Sequence, residues 1–266
     1  VRVFVAGAAG FIGRSACRSL AAAGHEVIGL ARDEAKAGAL EKLGVRVIVG
    51  TLDDPGTFLA QADRPEAIVH LAATWFDGPE TIEQARRTDS ADAGPHRPVG
   101  YDRILAPSQT YLETAAGIPL TVLVPGWVYG TGSWFPDTAR QIRAGQTHHL
   151  IGDGEVHLGY VEVGDVGEAF RLAAEKGAAG TIFNVLDEEP FTVRQFVEEA
   201  ARALGVPAPR GVSRDQARHD RGQVFLEALT SPASLDIAPT RRELGWRPRY
   251  TSVREGLPVV LRTLGA

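Results

Sequence analysis

Apolar residues come in short runs through the first part of the chain. VRVFVAG (1–7), HEVIGLAR (25–32), VRVIVG (45–50) and EAIVHLAA (66–73) are too short and too continuous for amphipathic helices, and they read as buried strands. Between the first two, FIGRSACRSLAAAG (11–24) places apolar side chains at helical spacing and ends on Gly24, which suits the left-handed turn that closes helices. DEAKAGALEKLG (33–44) and PGTFLAQA (55–62) read as the next two helices. Strands alternating with helices at this spacing predict an α/β domain, a doubly wound parallel sheet covered on both faces.

PLTVLVPG (119–126) is a further buried strand, preceded by a helix over 107–117 in which Pro107 suits the first turn and Gly117 the end. After Gly126 the pattern changes. GWVYGTGSWFP (126–136) is expected to be a loop, followed by a helix over 137–145, short strands over 148–163 and a helix from Asp165. TIFNVL (181–186) returns to strand, FTVRQFVEEAARALG (191–205) is an amphipathic helix, and RRELGWRPRYTSVREGL (241–257) reads as helix, turn and helix. This half is expected to form a smaller lobe interleaved with the end of the sheet.

Composition narrows the classes of function. No apolar run approaches the length of a membrane span, and a net charge of −5 without any block of like charge gives no footprint for nucleic acid or anionic lipid. The expectation is a cytoplasmic protein with no membrane and no nucleic-acid partner. The one cysteine, Cys17, excludes an internal disulfide and sits in the first helix, where a packed thiol is expected. Methionine is absent, and the sequence as written begins inside a strand.

The chemistry starts at GAAGFIG, Gly7 to Gly13, directly after a strand and opening a helix. Gly7 permits a tight turn, Gly10 lets backbone approach a pyrophosphate, and Gly13 lets helix and strand pack closely, while Phe11 and Ile12 open the helix whose free N–H groups face the anion. That is a dinucleotide-binding loop. At the end of the second strand, where an acid would hold ribose hydroxyls, stand Ala31 and Arg32, and Arg32 suits a 2′-phosphate. NADP is therefore favoured, with NAD as the alternative.

GAAGFIG, HLAA (70–73), PGWVYG (125–130), IGDGEVHLGYVEVGDV (151–166), FNV (183–185) and ELGWRP (243–248) together resemble the extended short-chain dehydrogenase/reductase family, the NAD(P)-dependent epimerase/dehydratases, over nearly the whole chain. The resemblance implies a Rossmann domain, mainly residues 1–135, and a smaller C-terminal α+β substrate lobe, mainly 136–266, often in a homodimer acting on a small-molecule substrate. It places Leu52, Leu71, Ala72 and Ala73 along the cofactor and Pro125 with Gly126 beside the nicotinamide. It also implies a catalytic tyrosine with a lysine four residues later and a serine or threonine on a preceding strand. Tyr101 matches the tyrosine by its distance ahead of TVLVPG, but the lysine position holds Leu105. A phenol titrates near pH ~10 unaided, so Tyr101 suits a proton donor in reduction better than a base; a packing role is the alternative.

Two departures bear on activity and substrate. Between Ala73 and Tyr101 the pattern requires a helix and a strand, yet the text there is polar, rich in proline and without an apolar run. The expectation is that the sequence as written lacks a segment near Asp89 to Pro95, together with methionines. At the place where relatives acting on nucleotide sugars carry an arginine after the GDG turn stands Leu158, and Thr51 replaces a common aspartate, which weakens a nucleotide-sugar substrate. Trp75, Phe76, Trp127, Tyr129, Trp134 and Phe135 are expected on loops after strand ends, suited either to an apolar or ring-shaped substrate or to lobe packing. His148, His149 and His157 read as solvated or as pocket groups, without metal-ligand spacing. The leading expectation is a hydride-transferring oxidoreductase or epimerase; a non-catalytic cofactor-binding sensor or scaffold is the runner-up, and a plain assembly subunit would bind no cofactor.

Overall fold

A computed structural model of the protein describes residues 1–51, 61–71, 120–177, 179–233 and 236–265. Tyr101, Leu105, Leu52, Ala72, Ala73, Trp75, Phe76, the helix expected over 107–117 and the segment near Asp89 to Pro95 lie outside them. The chain divides into two compact units, Val1–Val99 and Gly100–Ala266.

In the first unit the alternation expected over residues 1–50 is present, while the helix expected over 55–62 falls almost wholly outside the described residues. Strands β1 (Arg2–Ala6), β2 (Glu26–Ala31), β3 (Arg46–Val49) and β4 (Ala67–His70) form a parallel sheet in the order β3-β2-β1-β4. Sequential strands β1, β2 and β3 are joined by helices α1 (Phe11–Ala22) and α2 (Glu34–Glu41), as right-handed crossovers between parallel strands require. Val3, Phe4, Val5 and Ala6 of β1 are all buried, which is why this strand reads as a continuous apolar run and not as an alternating one. Cys17 is buried in α1, and loss of solvent pushes its thiol up to about 12, so the packed-thiol expectation holds. On β4, by contrast, Ile68 is exposed.

The second unit is built from four strand pairs. β5 (Thr121–Pro125) pairs with β10 (Thr181–Val185), β6 (Trp127–Tyr129) with β9 (Tyr160–Glu162), and β7 (Gln146–Ile151) with β12 (Arg210–Val212), all parallel, while β8 (His157–Leu158) and β11 (Phe191–Thr192) run antiparallel. Around them lie α3 (Phe135–Arg143), α4 (Val163–Lys176), α5 (Val193–Ala203), α6 (Arg214–Thr230), a π-helical turn (Thr240–Leu244) and α7 (Val253–Thr263). Three expectations need correction. The stretch 126–136 is not all loop, because Trp127–Tyr129 finds a partner strand more than thirty positions away. The first helix of the tail is only the five-residue π turn. Tyr129 and Phe135 are fully buried in the core of this unit, against Phe196 at 6.0 and 5.9 Å between ring centroids, so neither is offered to a substrate.

Polar tethers fix the ends. Thr192 and Gln195 form a reciprocal capping box on α5. Asp165, near the start of α4, accepts from the backbone N–H groups of Arg249 (2.7 Å) and Tyr250 (3.3 Å), and its carbonyl accepts from the indole of the buried Trp246. The tail motif is thus tied to α4 by one aspartate.

Asp187, just past β10, is less comfortable. It is buried, and among the described residues neither of its carboxylate oxygens nor the nearby Tyr129 hydroxyl has a hydrogen-bond partner. Burial, then the negative charges of Asp165 and Glu162, push its carboxyl up to about 9. With the folded value above the unfolded one, the native state holds an extra proton between about pH 4 and about pH 9, and stability falls as pH rises through that window, by at most about 1.4 kcal/mol per pH unit. Asp187→Asn is expected to raise the melting temperature relative to the parent, with a gain that grows from pH 5 to pH 8.5 (about the span of the window); a gain independent of pH in thermal melts would refute the buried-proton account.

Candidate functional site

The turn between β1 and α1 is shaped by the absence of side chains. Gly7 has φ +78°, and Gly10 donates its N–H to the Gly7 carbonyl at 2.9 Å. A Cβ at Gly13 would lie 2.0 Å from the Gly7 carbonyl oxygen and 2.8 Å from that of Ala8, both backbone atoms that cannot step aside. Only glycine permits this packing. Gly10 caps α1 without any side-chain hydrogen bond, and the first turn carries no acid. The opening N–H groups of Phe11, Ile12 and Gly13 therefore remain available to an anion at the positive end of the helix. Arg14, which the motif reading did not single out, donates from Nη1 to the Ala9 carbonyl at 3.1 Å and sets a positive charge beside the loop. Its signal in the sequence was its place directly after the third glycine.

The end of β2 is equally defined. Asp33 is the N-cap of α2: one carboxylate oxygen accepts from the Lys36 N–H at 2.9 Å and the other pairs with the Lys36 ammonium at 3.4 Å. The Lys36 amide holds this carboxyl below the ordinary aspartate range. Both oxygens are thus engaged on the helix, while Arg32 is exposed and has no ion pair among the described residues. Leu71 extends β4, donating its N–H to the Ala6 carbonyl at 2.9 Å, and Thr51 is exposed past β3. In the first unit, then, Gly7, Gly10, Arg32 and Leu71 lie just past the carboxyl ends of parallel strands and Phe11, Ile12 and Gly13 form the first turn of α1, the side on which open α/β sheets bind ligands.

Pro125 ends β5 in the second unit, paired with Val185. Gly126 succeeds it through a tight gap, where a Cβ would sit 2.2 Å from the Gly159 carbonyl oxygen. From Trp127 onward an aromatic recess opens. His149 is buried, not solvated: its ring stacks on Trp134 at 4.4 Å and 11°, meets Trp127 edge-on at 5.3 Å, and its Nε2 lies 3.3 Å from the Tyr160 hydroxyl. Burial, helped by the nearby charge of Arg221, lowers its pKa to about 3, so the imidazole is neutral at physiological pH. His148 instead pairs with Asp220 at 2.9 Å. Among the described residues no group of three His, Cys, Asp or Glu side chains is arranged for a metal ion, and no helix is long and apolar enough to cross a membrane.

The family profile described as NAD dependent epimerase/dehydratase matches this sequence over residues 3–94 and 84–185. The chain belongs to that family. Among its relatives, a 3-diazoavenalumate denitrifying reductase of a Streptomyces species is 28% identical, with 97% of this chain and 99% of the relative aligned. A 2-alkyl-3-oxoalkanoate reductase of Stenotrophomonas maltophilia is 24% identical, over 97% of each. Of solved structures, the dTDP-glucose 4,6-dehydratase of Streptomyces venezuelae with NAD bound superposes with a TM-score of 0.74 at 23% identity, covering 98% of this chain and 96% of the other. The UDP-glucose 4-epimerase of Thermotoga maritima gives 0.72 at 23% identity, covering 100% and 99%. These superpositions establish the α/β Rossmann-type fold. The alignment with the Streptomyces reductase runs over 306 positions although the chain has 266 residues, so dozens of the relative's residues have no counterpart here.

The loop residues fit the family's nicotinamide dinucleotide: side-chain-free backbone for close approach, unspent N–H groups for the pyrophosphate, and Arg14 and Arg32 for further anionic groups. Gly13→Ala is expected to lower the melting temperature and to weaken NADPH binding by about tenfold or more, because either Gly7 or α1 must shift. Gly38→Ala, in a helix where a Cβ meets nothing within 4 Å, is the control and should leave binding unchanged while holding or raising stability by about 0.5–1 kcal/mol. Equal binding by Gly13→Ala and the parent in a fluorescence titration would sink the loop assignment.

Proposed function

We propose that this chain is an NADP-dependent reductase of the epimerase/dehydratase family, transferring hydride between the nicotinamide and a carbonyl or carbinol carbon of a small substrate. The observation that carries the cofactor choice is the double engagement of Asp33 on α2, which leaves Arg32 as the charged group offered at the end of β2. A carboxylate free to accept from ribose hydroxyls would favour NAD; a guanidinium with no ion pair among the described residues favours the 2′-phosphate. Gly7, Gly10, Phe11, Ile12 and Gly13 would hold the pyrophosphate, with Leu52, Leu71, Ala72 and Ala73 along the cofactor and Pro125 beside the nicotinamide. The bound cofactor supplies the hydride. The protein's part is to fix the substrate oxygen and deliver a proton to it, for which Tyr101 is the assigned donor.

Reduction is favoured over epimerisation of a nucleotide sugar by the buried, apolar Leu158 at the position that an arginine would need for a diphosphate. The names of the two reductases that align over nearly the whole chain support the same direction. Residues 1–135 would then form mainly the cofactor domain and 136–266 mainly the substrate lobe, in a cytoplasmic homodimer of the kind the resemblance implies. The match of the family profile in two stretches sharing residues 84–94 supports the expectation that the sequence as written lacks a segment near Asp89 to Pro95. Leu105 in place of the lysine favours a second reading, a cofactor-binding sensor without turnover.

Two substitutions test the proposal. Arg32→Ala is expected to weaken NADPH binding by about tenfold or more while NADH changes by less than about twofold; equal weakening of both would remove the phosphate-pairing argument. Tyr101→Phe should reduce NADPH oxidation with a small ketone or aldehyde by about a hundredfold or more with NADPH affinity intact. Full turnover by that variant would unseat Tyr101 as donor, and a parent that binds NADPH but reduces nothing would make the sensor the correct reading.

A further inference from the structure

The recess beyond Gly126 has features of a ligand site that lobe packing does not require. Its cavity of about 110 Å³ is of the order of the ~150 Å³ hole that admits one benzene ring. One wall is the stacked pair of Trp134 and His149, with Trp127 standing edge-on to both at 5.5 and 5.3 Å. The indole N–H of Trp134 is spent on the Val128 carbonyl, whereas that of Trp127 has no acceptor among the described residues. Another part of the lining comes from α6, which is not one continuous helix: Gly222, with φ +83° and ψ 169°, breaks it between two residues that line the cavity, Arg221 and Phe225. Arg221 lies over the Phe225 ring at 4.6 Å.

Among the described residues, charge pairing around the cavity leaves Arg221 without a carboxylate. Asp137, which also lines it, is paired with Arg140 at 2.8 Å and accepts from the Gln141 amide at 3.1 Å. Asp220 is taken by Gln216 at 2.7 Å and His148 at 2.9 Å. Arg221 has no carboxylate partner among the described residues, and the neutral His149 beside it adds no second charge. A small recess lined by two indoles and Phe225, with a guanidinium that has no carboxylate partner and an indole N–H that has no acceptor among the described residues, fits one class of molecule.

We propose that the recess binds a single planar aromatic ring carrying a carboxylate, the ring against Trp127, Trp134 and His149 and the carboxylate on Arg221. Resting on the reductase reading, in which Pro125, two residues from Trp127 in the chain, flanks the nicotinamide, this assigns the substrate class as aromatic carbonyl compounds bearing an anionic group. Aromatic stacking supplies affinity and the guanidinium supplies selection for the anion.

The probe is benzoate, with benzamide and acetate as the ring without charge and the charge without ring. Trp127 and Trp134 are two of four tryptophans in the chain, so binding should appear as saturable quenching of intrinsic fluorescence. Benzoate is expected to bind about tenfold or more tightly than either comparison compound. Arg221→Gln, at an exposed position on α6, should bring benzoate to the benzamide level without altering NADPH binding or the far-ultraviolet circular dichroism; Arg221→Lys should recover part of the preference. Equal affinities for benzoate and benzamide, quenching that does not saturate, or an Arg221→Gln protein that keeps the preference would each overturn the proposal. Loss of NADPH binding by the parent with benzoate binding intact would instead overturn the reductase reading and leave the recess as a separate site.

Discussion

Backbone passing backbone without a side chain between them is the constraint on which both halves of this molecule rest. In the first unit it is the Gly13 approach to Gly7, where even a methyl group would penetrate to 2.0 Å. In the second it is Gly126 against the Gly159 carbonyl, where the same addition would reach 2.2 Å. Each contact fixes the course of the neighbouring chain. Gly13 sets the tilt of α1 and with it the aim of the helix N-terminus, while Gly126 sets where Pro125 and Trp127 stand on either side. Sterics that admit no relaxation are a stronger determinant than any hydrogen bond nearby, because a hydrogen bond can be exchanged for one to water.

Electrostatic pairing is arranged so that acids are consumed locally and selected arginines are not. Asp33 is engaged in a helix cap, Asp137 with Arg140, Asp220 with Gln216 and His148, and Asp165 with the backbone of the tail. Arg32 and Arg221, in different units, are left without acidic partners among the described residues. An unmatched exposed guanidinium costs little in water, so the chain can keep such groups in reserve for ligands. Asp187 is the exception in kind: a buried acid with no hydrogen-bond partner among the described residues, held neutral by its surroundings.

How much of this could be read from the sequence depended on the distance over which each feature is built. The glycine turn was legible because Gly7, Gly10 and Gly13 act within seven residues, and the described strands and helices of the first unit appear within three residues of their expected ends. β6 was hidden because three residues, Trp127–Tyr129, carry no period, and their partner Tyr160–Glu162 is remote. α6 escaped because its polar sequence is broken at Gly222. The burial of His149 needed Trp127, Trp134, Tyr160 and Phe196 together, and no local pattern announces a histidine inside an aromatic cluster. Tyr129 and Phe135 looked like pocket residues for the same reason that they are core: aromatic side chains near glycine turns suit both.

Cys17 lies one turn beyond Gly13 on the helix that the glycine turn opens, and it is the chain's single thiol. Its sulfur is out of reach of any reagent as long as α1 stays seated on the sheet. Alkylation can therefore proceed only through transient lifting of that helix, at a rate set by the fraction of time it spends open. The residue is a gauge already installed beside the glycine turn, reporting in a covalent tally how often the helix leaves its seat.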